Sequence, residues 1–374
     1  MILPLPSTSQ LEFSHANSRF ENGKNSLLQK LRICLENDQP KSREQFISTI
    51  SKELGNGRLR KTIDTHNTNS IVFLCTENSR NIVIKAEFGA NTSTHKEADW
   101  YISTKKLTES YATTYEDSSL HPNWALLQLR YIKNAISIDE AQMNTPNDTS
   151  IIKPVLQALE MDRHIFSMTA RKVNRDQVNT YLLKRYYQRQ REASHFQYLR
   201  EMMSFRNIVI NGRPYLSPDT AMKLVVKNRA LYTYLTPNRV GISHGDLHCG
   251  NILSSDNRIH LIDPNGSFIL PIEYDLGKLL HSVHGNYARI MRNDFILCKV
   301  NEREYVFLDN VSYAYQNVHQ RIRSNLSDQE YLQSLYFEAL HFTTMLPHHA
   351  SVERETITLY LRAAQLFNEL LHYL

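Results

Sequence analysis

One stretch constrains this chain more than any other. It runs Ser243-His244-Gly245-Asp246-Leu247-His248-Cys249-Gly250-Asn251-Ile252-Leu253, then after a gap Ile259-His260-Leu261-Ile262-Asp263-Pro264. The gap, Ser254-Ser255-Asp256-Asn257-Arg258, is made of residues that favour a tight polar turn. The pattern predicts loop, strand, turn, strand, with Asp263 closing the hairpin. That arrangement places three oxygen-bearing side chains at one spot. Asp246 has the chemistry to take a proton from an attacking hydroxyl. Asn251 and Asp263 offer the hard oxygens that a magnesium ion prefers.

The chain has 374 residues, 41% hydrophobic and 22% charged, which suits one large or two modest globular domains. No apolar run approaches the roughly 18 residues that span a membrane. The start, Met-Ile-Leu-Pro-Leu-Pro, lacks the basic head and apolar length of a signal peptide. Four scattered cysteines (Cys34, Cys75, Cys249, Cys298) suit a reducing compartment, without a disulfide framework or zinc site. A cytoplasmic location is therefore expected. The net charge of +5 suits anionic substrates such as nucleotides.

Along the chain, Leu27–Leu35 has helical spacing and is expected to pack outside the next unit. A second short helix around Phe46–Ile50 stops at Gly55-Asn56-Gly57. Three strand-like runs follow: Arg58–Ile63, Ile71–Cys75 and Asn81–Ala86, the last two joined as a hairpin through Glu77-Asn78-Ser79-Arg80. The loop Asp64–Ser70 contains no glycine, unlike many phosphate-covering loops. Lys85, taken alone, reads as a lysine at the solvent edge of a strand. Glu97 falls in the first part of a predicted helix, where an acid suits the dipole. Residues 107–120 read as a loop, and Trp124–Ile132 as strand running into a connector. From about Ile151 the pattern turns helical, with one long segment from Thr180 to Met203. Its basic residues read as a solvated face rather than a nucleic-acid surface. Asn301–Leu308 reads as an inserted strand, and Ser334–His341 and Glu353–Leu374 as amphipathic helices.

The run His-Gly-Asp-Leu-His-x-Gly-Asn-Ile-Leu, then Leu-Ile-Asp, resembles the aminoglycoside phosphotransferase and choline kinase superfamily. Pro271-Ile272-Glu273-Tyr274-Asp275-Leu276-Gly277 is similar to that family's Tyr-Asp-Leu-Ala segment. The segments Leu279–Tyr287 and Met345–His349 resemble, more loosely, a subgroup linked to capsule and surface-polysaccharide synthesis. The resemblance implies an α+β, protein-kinase-like fold with two lobes. Expected are an N-terminal helical extension over 1–50, a nucleotide-binding lobe over 51–133, and a helical lobe with the catalytic loop over 134–374.

It further implies an ATP- and Mg2+-dependent transfer to a hydroxyl of a small molecule: a sugar, nucleoside or aminoglycoside. Asp246 would orient the hydroxyl and take its proton. Asn251 and Asp263 would bind the metal. Lys85, held by Glu97, would contact the phosphates, and the backbone of Arg130, Tyr131 and Ile132 would face the adenine. His244 and Asp275 would support the loop. Such chemistry needs positioning and charge neutralisation above all. Pro264-Asn265-Gly266 follows the metal Asp, and only seven residues separate Asp263 from Pro271. That leaves no room for a long activation segment and favours a small acceptor over a protein. An antibiotic kinase and a catalytically silent scaffold are the competing readings. The pair His281/His284, the group His341, His348 and His349, and the loop thiol Cys249 read as packed residues rather than zinc ligands or a nucleophile.

Overall fold

The computed structural model describes residues 26–55, 58–64, 70–105, 107, 114–256, 258–265 and 269–373. The expectations for residues 1–25 and for most of the loop at 64–70 lie outside these. The N-terminal part holds α1 (Leu27–Asp38), α2 (Arg43–Leu54), β1 (Leu59–Asp64), β2 (Ser70–Glu77), β3 (Arg80–Phe88), α3 (Ser93–Thr104), β4 (Tyr115–His121) and β5 (Trp124–Arg130). The five strands form one antiparallel sheet in the order β1-β2-β3-β5-β4.

Strand alternation decides what each side of this sheet does. Ile82, Ile84 and Ala86 of β3 join Phe73, Leu126 and the apolar stripes of α1 and α2 in one core cluster. The expected outside packing of the first helix is this contact. Lys85 points to the opposite side from Ile84 and Ala86, towards α3. The expectation of a loop over 107–120 is corrected at 115–120, which belong to β4, an edge strand of mostly polar residues, while 108–113 lie outside the described residues. Polar side chains suit an edge, and they hid its periodicity.

The remainder is mainly helical: β6 (Ile136–Ser137), α4 (Ile138–Asn144), α5 (Ile152–Thr169), β7 (Arg171–Lys172), α6 (Arg175–Ala193), α7 (Gln197–Ser204), β8 (Asn207–Ile210), β9 (Arg213–Leu216), α8 (Pro218–Lys227), α9 (Arg229–Leu235), β10 (Arg239–Ile242), β11 (Ile252–Ser255), β12 (Arg258–Leu261), β13 (Ile269–Leu270), α10 (Ile272–Val283), α11 (Tyr287–Met291), β14 (Ile296–Asn301), β15 (Glu304–Leu308), α12 (Tyr313–Ser324), α13 (Asp328–His349) and α14 (Glu353–His372). The architecture is the expected α+β one, β-rich first and helical after. The predicted single helix over 180–203 is two helices, broken where Ser194, His195 and an extended Phe196 interrupt it. The helix expected at Ser334–His341 is far longer. Ser327 and Glu330 form a capping box that starts it at Asp328. The strand expected at Asn301–Leu308 is half of the hairpin β14–β15. β15 then pairs in parallel with β8, so distant segments share one sheet.

α10 and α13 cross closely because Gly277 has no side chain. A Cβ there would stand 2.6 Å from the Cβ of Phe337. This crossing sets α10 against the loop 243–251. Among the described residues, no helix is long and apolar enough to cross a membrane.

Candidate active site

The loop 243–251 leaves β10 and makes a tight bend at Gly245, whose φ is +78°. A Cβ there would lie 2.6 Å from the Asn265 carbonyl oxygen, so only glycine fits. The bend is pinned by the Asn265 N–H, which donates to the His244 carbonyl at 2.8 Å.

α10 holds the outgoing loop with one face. Asp275 accepts the backbone N–H of Gly245 at 2.7 Å and of Leu247 at 3.2 Å. Ser282 Oγ accepts the N–H of Cys249 at 3.0 Å. Between them Lys278 places Nζ 2.9 Å from Asp246 Oδ1. Asp275, Lys278 and Ser282 are spaced three and four apart, which puts them on one side of a helix.

His244 is fully buried. Its N–H donates to Asp162 Oδ1 at 2.7 Å, and Nε2 donates to the Ile262 carbonyl at 3.0 Å. Burial lowers its pKa, so the ring is neutral with its proton on Nε2. Asp162 and Asp275 are both wholly buried, and burial raises both pKa values. α3 reaches the same loop, since Trp100 Nε1 donates to the Ser243 carbonyl at 2.8 Å.

Asp246 is half-buried. Burial alone would raise its pKa, but Lys278 and His248 outweigh it and hold the carboxylate well below its usual range. Its backbone oxygen accepts Asn251 Nδ2 at 3.0 Å. The His248 ring accepts the Gly250 N–H at Nδ1, 3.1 Å away. The ring proton therefore sits on Nε2, which lies 3.9 Å from Asp246 Oδ2. So Oδ1 is engaged by Lys278, while Oδ2 faces His248 and Asn251.

Lys85 joins the two parts of the chain. Nζ lies 2.6 Å from Glu97 Oε2 and 2.8 Å from Asp263 Oδ1. Burial opposes its charge, but the two carboxylates raise the Lys85 pKa above its ordinary value. Glu97 is 2% exposed, within the buried stripe Thr94, Glu97, Ala98, Tyr101 of α3. The solvated first-turn acid is thus replaced by a buried ion pair. Burial pushes its pKa up to about 7 despite Lys85.

Asp263 adopts a φ of +54°, and its side chain is half-exposed. Asn251 spends its amide nitrogen on Asp246, which turns its oxygen away. The Asn251 backbone carbonyl accepts the Ile262 N–H at 3.0 Å, tying it to the backbone next to Asp263. The donor set fits magnesium, which usually takes one or two carboxylates and completes its shell with water and substrate phosphates. Among the described residues, no group of three or more His, Cys, Asp or Glu would hold a metal alone.

Arg130, Tyr131 and Ile132 follow β5 as the connector to β6. The Arg130 N–H donates to the Thr114 carbonyl at 2.7 Å, and its exposed side chain lies 3.8 Å from Glu116. The structure therefore brings Lys85, Glu97 and Asp263 together, and separately Asp246, Asn251, His244 and Asp275. The residues missed from sequence are Lys278, Ser282, His248 and Asp162. His281 is buried, while Cys249 is buried with its thiol pKa raised by burial, which suits packing.

A family model described as the phosphotransferase enzyme family matches residues 174–295, which include the loop 243–251, Asp263 and α10 but neither Lys85 nor Glu97. No curated protein matches the chain. Among solved structures, a thermostable mutant of aminoglycoside phosphotransferase APH(4)-Ia in ternary complex with AMP-PNP and hygromycin B superposes with a TM-score of 0.51, at 10% identity over 82% of this chain and 92% of that one. Another mutant of it, in ternary complex with ADP and hygromycin B, gives 0.50 at 11% identity over 86% and 97%. The choline kinase LicA from Streptococcus pneumoniae gives 0.48 at 14% identity over 87% and 99%. At these identities the first two likenesses establish a common fold.

Proposed function

We propose that this chain is a small-molecule kinase of the phosphotransferase enzyme family, whose model matches residues 174–295, and that it transfers the γ-phosphate of ATP, with Mg2+, to a hydroxyl of a sugar or related small molecule. One observation carries this reading. Lys85 and Glu97 from the N-terminal sheet and helix meet Asp263 within hydrogen-bonding distance, beside a loop that presents Asp246 and Asn251.

Lys85 supplies a fixed cation for the phosphates, held in place by Glu97. Asn251 and Asp263 would be the oxygen donors for Mg2+. When bound, that ion would neutralise charge on the phosphate oxygens. The connector at Arg130–Ile132 would face the adenine with the backbone groups that remain once the Arg130 N–H is spent on the Thr114 carbonyl. Against the effect of burial, Lys278 and His248 hold the Asp246 carboxylate below its usual range and so favour its ionised form. Such a weak base serves best as the acceptor that aims the hydroxyl through Oδ2. It takes the proton only as the new bond to phosphorus forms. His244, Asp162, Asp275 and Ser282 keep the loop rigid, which is how positioning becomes rate.

Against the silent-scaffold reading stand the pairing of Lys85 with Glu97 and Asp263 and the presence of Asp246 and Asn251 on the adjacent loop. Titration with ATP and Mg2+ should raise the melting temperature, and Asp263→Ala should abolish the rise. An acceptor screen with sugars, nucleosides and aminoglycosides, scored by radiolabelled phosphate incorporation, should find a product that Asp246→Asn does not make. Absence of transfer to every acceptor, with ATP turnover indifferent to Asp246→Asn, would sink the proposal.

A further inference from the structure

α5 and α10 each set one aspartate against the bend at Gly245. Asp162 Oδ1 accepts the His244 N–H at 2.7 Å, and Asp275 Oδ2 accepts the next one, that of Gly245, also at 2.7 Å. Asp275 Oδ1 takes the Leu247 N–H as well, so both of its oxygens are engaged. Both side chains are 0% exposed, and they lie within hydrogen-bonding reach of each other. Two carboxylates cannot bond to one another, since both only accept. Counted as ionised, Asp162 is left with Oδ2 buried and without a partner. One proton on Oδ2 turns that orphan into a donor and the contact into a hydrogen bond.

Among the described residues, the charges around the pair are committed elsewhere. Lys278, one turn along α10 from Asp275, is spent on Asp246, and His248 lies beyond it, 3.9 Å from Asp246 Oδ2. Arg163 follows Asp162 on α5, but its charge also bears on Glu273 of α10 and Glu330 of α13. Tyr274 is a neutral phenol, its pKa raised by burial. His244 faces Asp275 and Asp246, yet its Nδ1 is buried without a partner, so a proton there would be an unpaired donor. A cradle of backbone N–H groups suits one negative charge, and two buried carboxylates in contact do not both ionise. In accord with this, burial and then the Asp275 charge raise the Asp162 pKa well above the ordinary carboxylate range.

Resting on the phosphoryl-transfer reading above, we propose that Asp162 and Asp275 share one proton: Asp162 stands as the neutral acid, donates through Oδ2 to Asp275, and positions Asp246 through the His244 amide. The pair grips the bend as one unit with a single net negative charge, its acceptor oxygens on the N–H groups of His244, Gly245 and Leu247. Asp162 is a positioning residue, acting two residues away from Asp246. An amide can stand in for the neutral Asp162 but not for the ionised Asp275.

A proton held in the fold and released on unfolding makes stability fall as pH rises. The Asp162 contribution is full below the ordinary carboxylate pKa and is lost as pH climbs towards the raised value. Asp162→Asn keeps one acceptor and one donor in place but cannot titrate.

The test uses the full-length protein and begins with two readouts that need no turnover. The infrared difference spectrum, wild type minus Asp162→Asn at pH 8, should contain the carbonyl stretch of a neutral carboxylic acid. The melting temperature of Asp162→Asn should climb relative to wild type between pH 5 and pH 8. Glu97 and Glu273, whose pKa values are both pushed up to about 7, are common to both proteins and cancel in that difference. With an acceptor found by the screen above, Asp162→Leu should lower kcat about tenfold or more, and Asp162→Asn should restore it. Carboxylate bands alone in the difference spectrum, a melting-temperature gap that does not change with pH, or an Asp162→Asn as slow as Asp162→Leu would each overturn the proposal. Should Asp162→Leu not fold, the spectrum and the pH series decide. If the wild type transfers phosphate to no acceptor, the phosphotransferase reading fails and the aligning role with it, while those two readouts still decide the shared proton.

Discussion

Lys85 and Asp263 lie 178 residues apart in the chain and 2.8 Å apart in the fold. This ion pair, shared with Glu97, ties the N-terminal sheet to the strand end beside the catalytic loop. Lys85→Met should remove the cation without touching the apolar core on the other face of β3. Nucleotide-dependent thermal stabilisation should vanish and kcat/KM should fall about a hundredfold or more. Far-UV circular dichroism should stay unchanged. A variant that still binds AMP-PNP at wild-type affinity would contradict the role given to Lys85.

Glu97 gives a pH signature whose sign is fixed by its burial. Its pKa is about 7 in the folded chain against an ordinary value of 4.5. Between those values the folded state holds a proton that the unfolded state has released. The stability contributed by this group is therefore full below about pH 4.5, falls as pH rises to about 7, and levels off above. The total change is up to about 3 kcal/mol. Glu97→Gln should flatten the fall, read as the difference in denaturant midpoint between pH 5 and pH 8. An identical pH slope in wild type and variant would show that Glu97 titrates normally.

Asp275 accepts two backbone N–H groups of the catalytic loop, and an amide at that position has one acceptor oxygen. Asp275→Asn should destabilise the chain by about 1–3 kcal/mol, since one buried N–H then faces an NH2 group. Ser282→Ala removes a single acceptor, that of the Cys249 N–H, and should cost about 1 kcal/mol. Urea unfolding separates the two, and equal stabilities would exclude the bracing role of Asp275.

Gly245→Ala places a methyl group 2.6 Å from the Asn265 carbonyl at a positive φ. The loop must shift to relieve it. The expected cost is about 1–3 kcal/mol of stability, with activity lost disproportionately because Asp246 is the next residue. A comparison of kcat with the melting temperature tests this. Full kcat in a destabilised variant would mean that the bend is not needed for alignment.

The four cysteines are free, with Cys75 and Cys249 buried and Cys298 exposed. Iodoacetamide on the native protein should label Cys298 first, Cys34 more slowly, and neither buried thiol until the chain unfolds. Peptide mass spectrometry reads this directly. Rapid alkylation of Cys249 would reopen the reading of that thiol as reactive.

The candidate segment was legible because its pattern is local. Asp246, Asn251 and Asp263 fall within one loop and one hairpin, and their spacing survives without tertiary context. The hairpin, the third-strand position of Lys85 and the amphipathic closing helix were legible for the same reason. β4 was not, because edge strands lack the apolar alternation that marks a buried face. Lys278 and Ser282 carried a faint signal, being on one helical face with Asp275, but a lysine in that place reads equally well as solvated. Asp162 lies 82 residues before its partner His244. Its only trace was an acid on the buried stripe of α5, between Leu159 and Ile165.

The parallel pairing of β8 with β15 has a consequence for how this chain is made. It closes a long excursion that contains the whole catalytic loop. A ribosome delivers Lys85 and Glu97 early, then Asp246, then its supports in α10, and only afterwards the strand that ties the excursion shut. Pairing so distant in sequence is slow to form. Changes that weaken β15 should therefore reduce how much of the newly made chain matures, while the molecules that do mature keep their full specific activity.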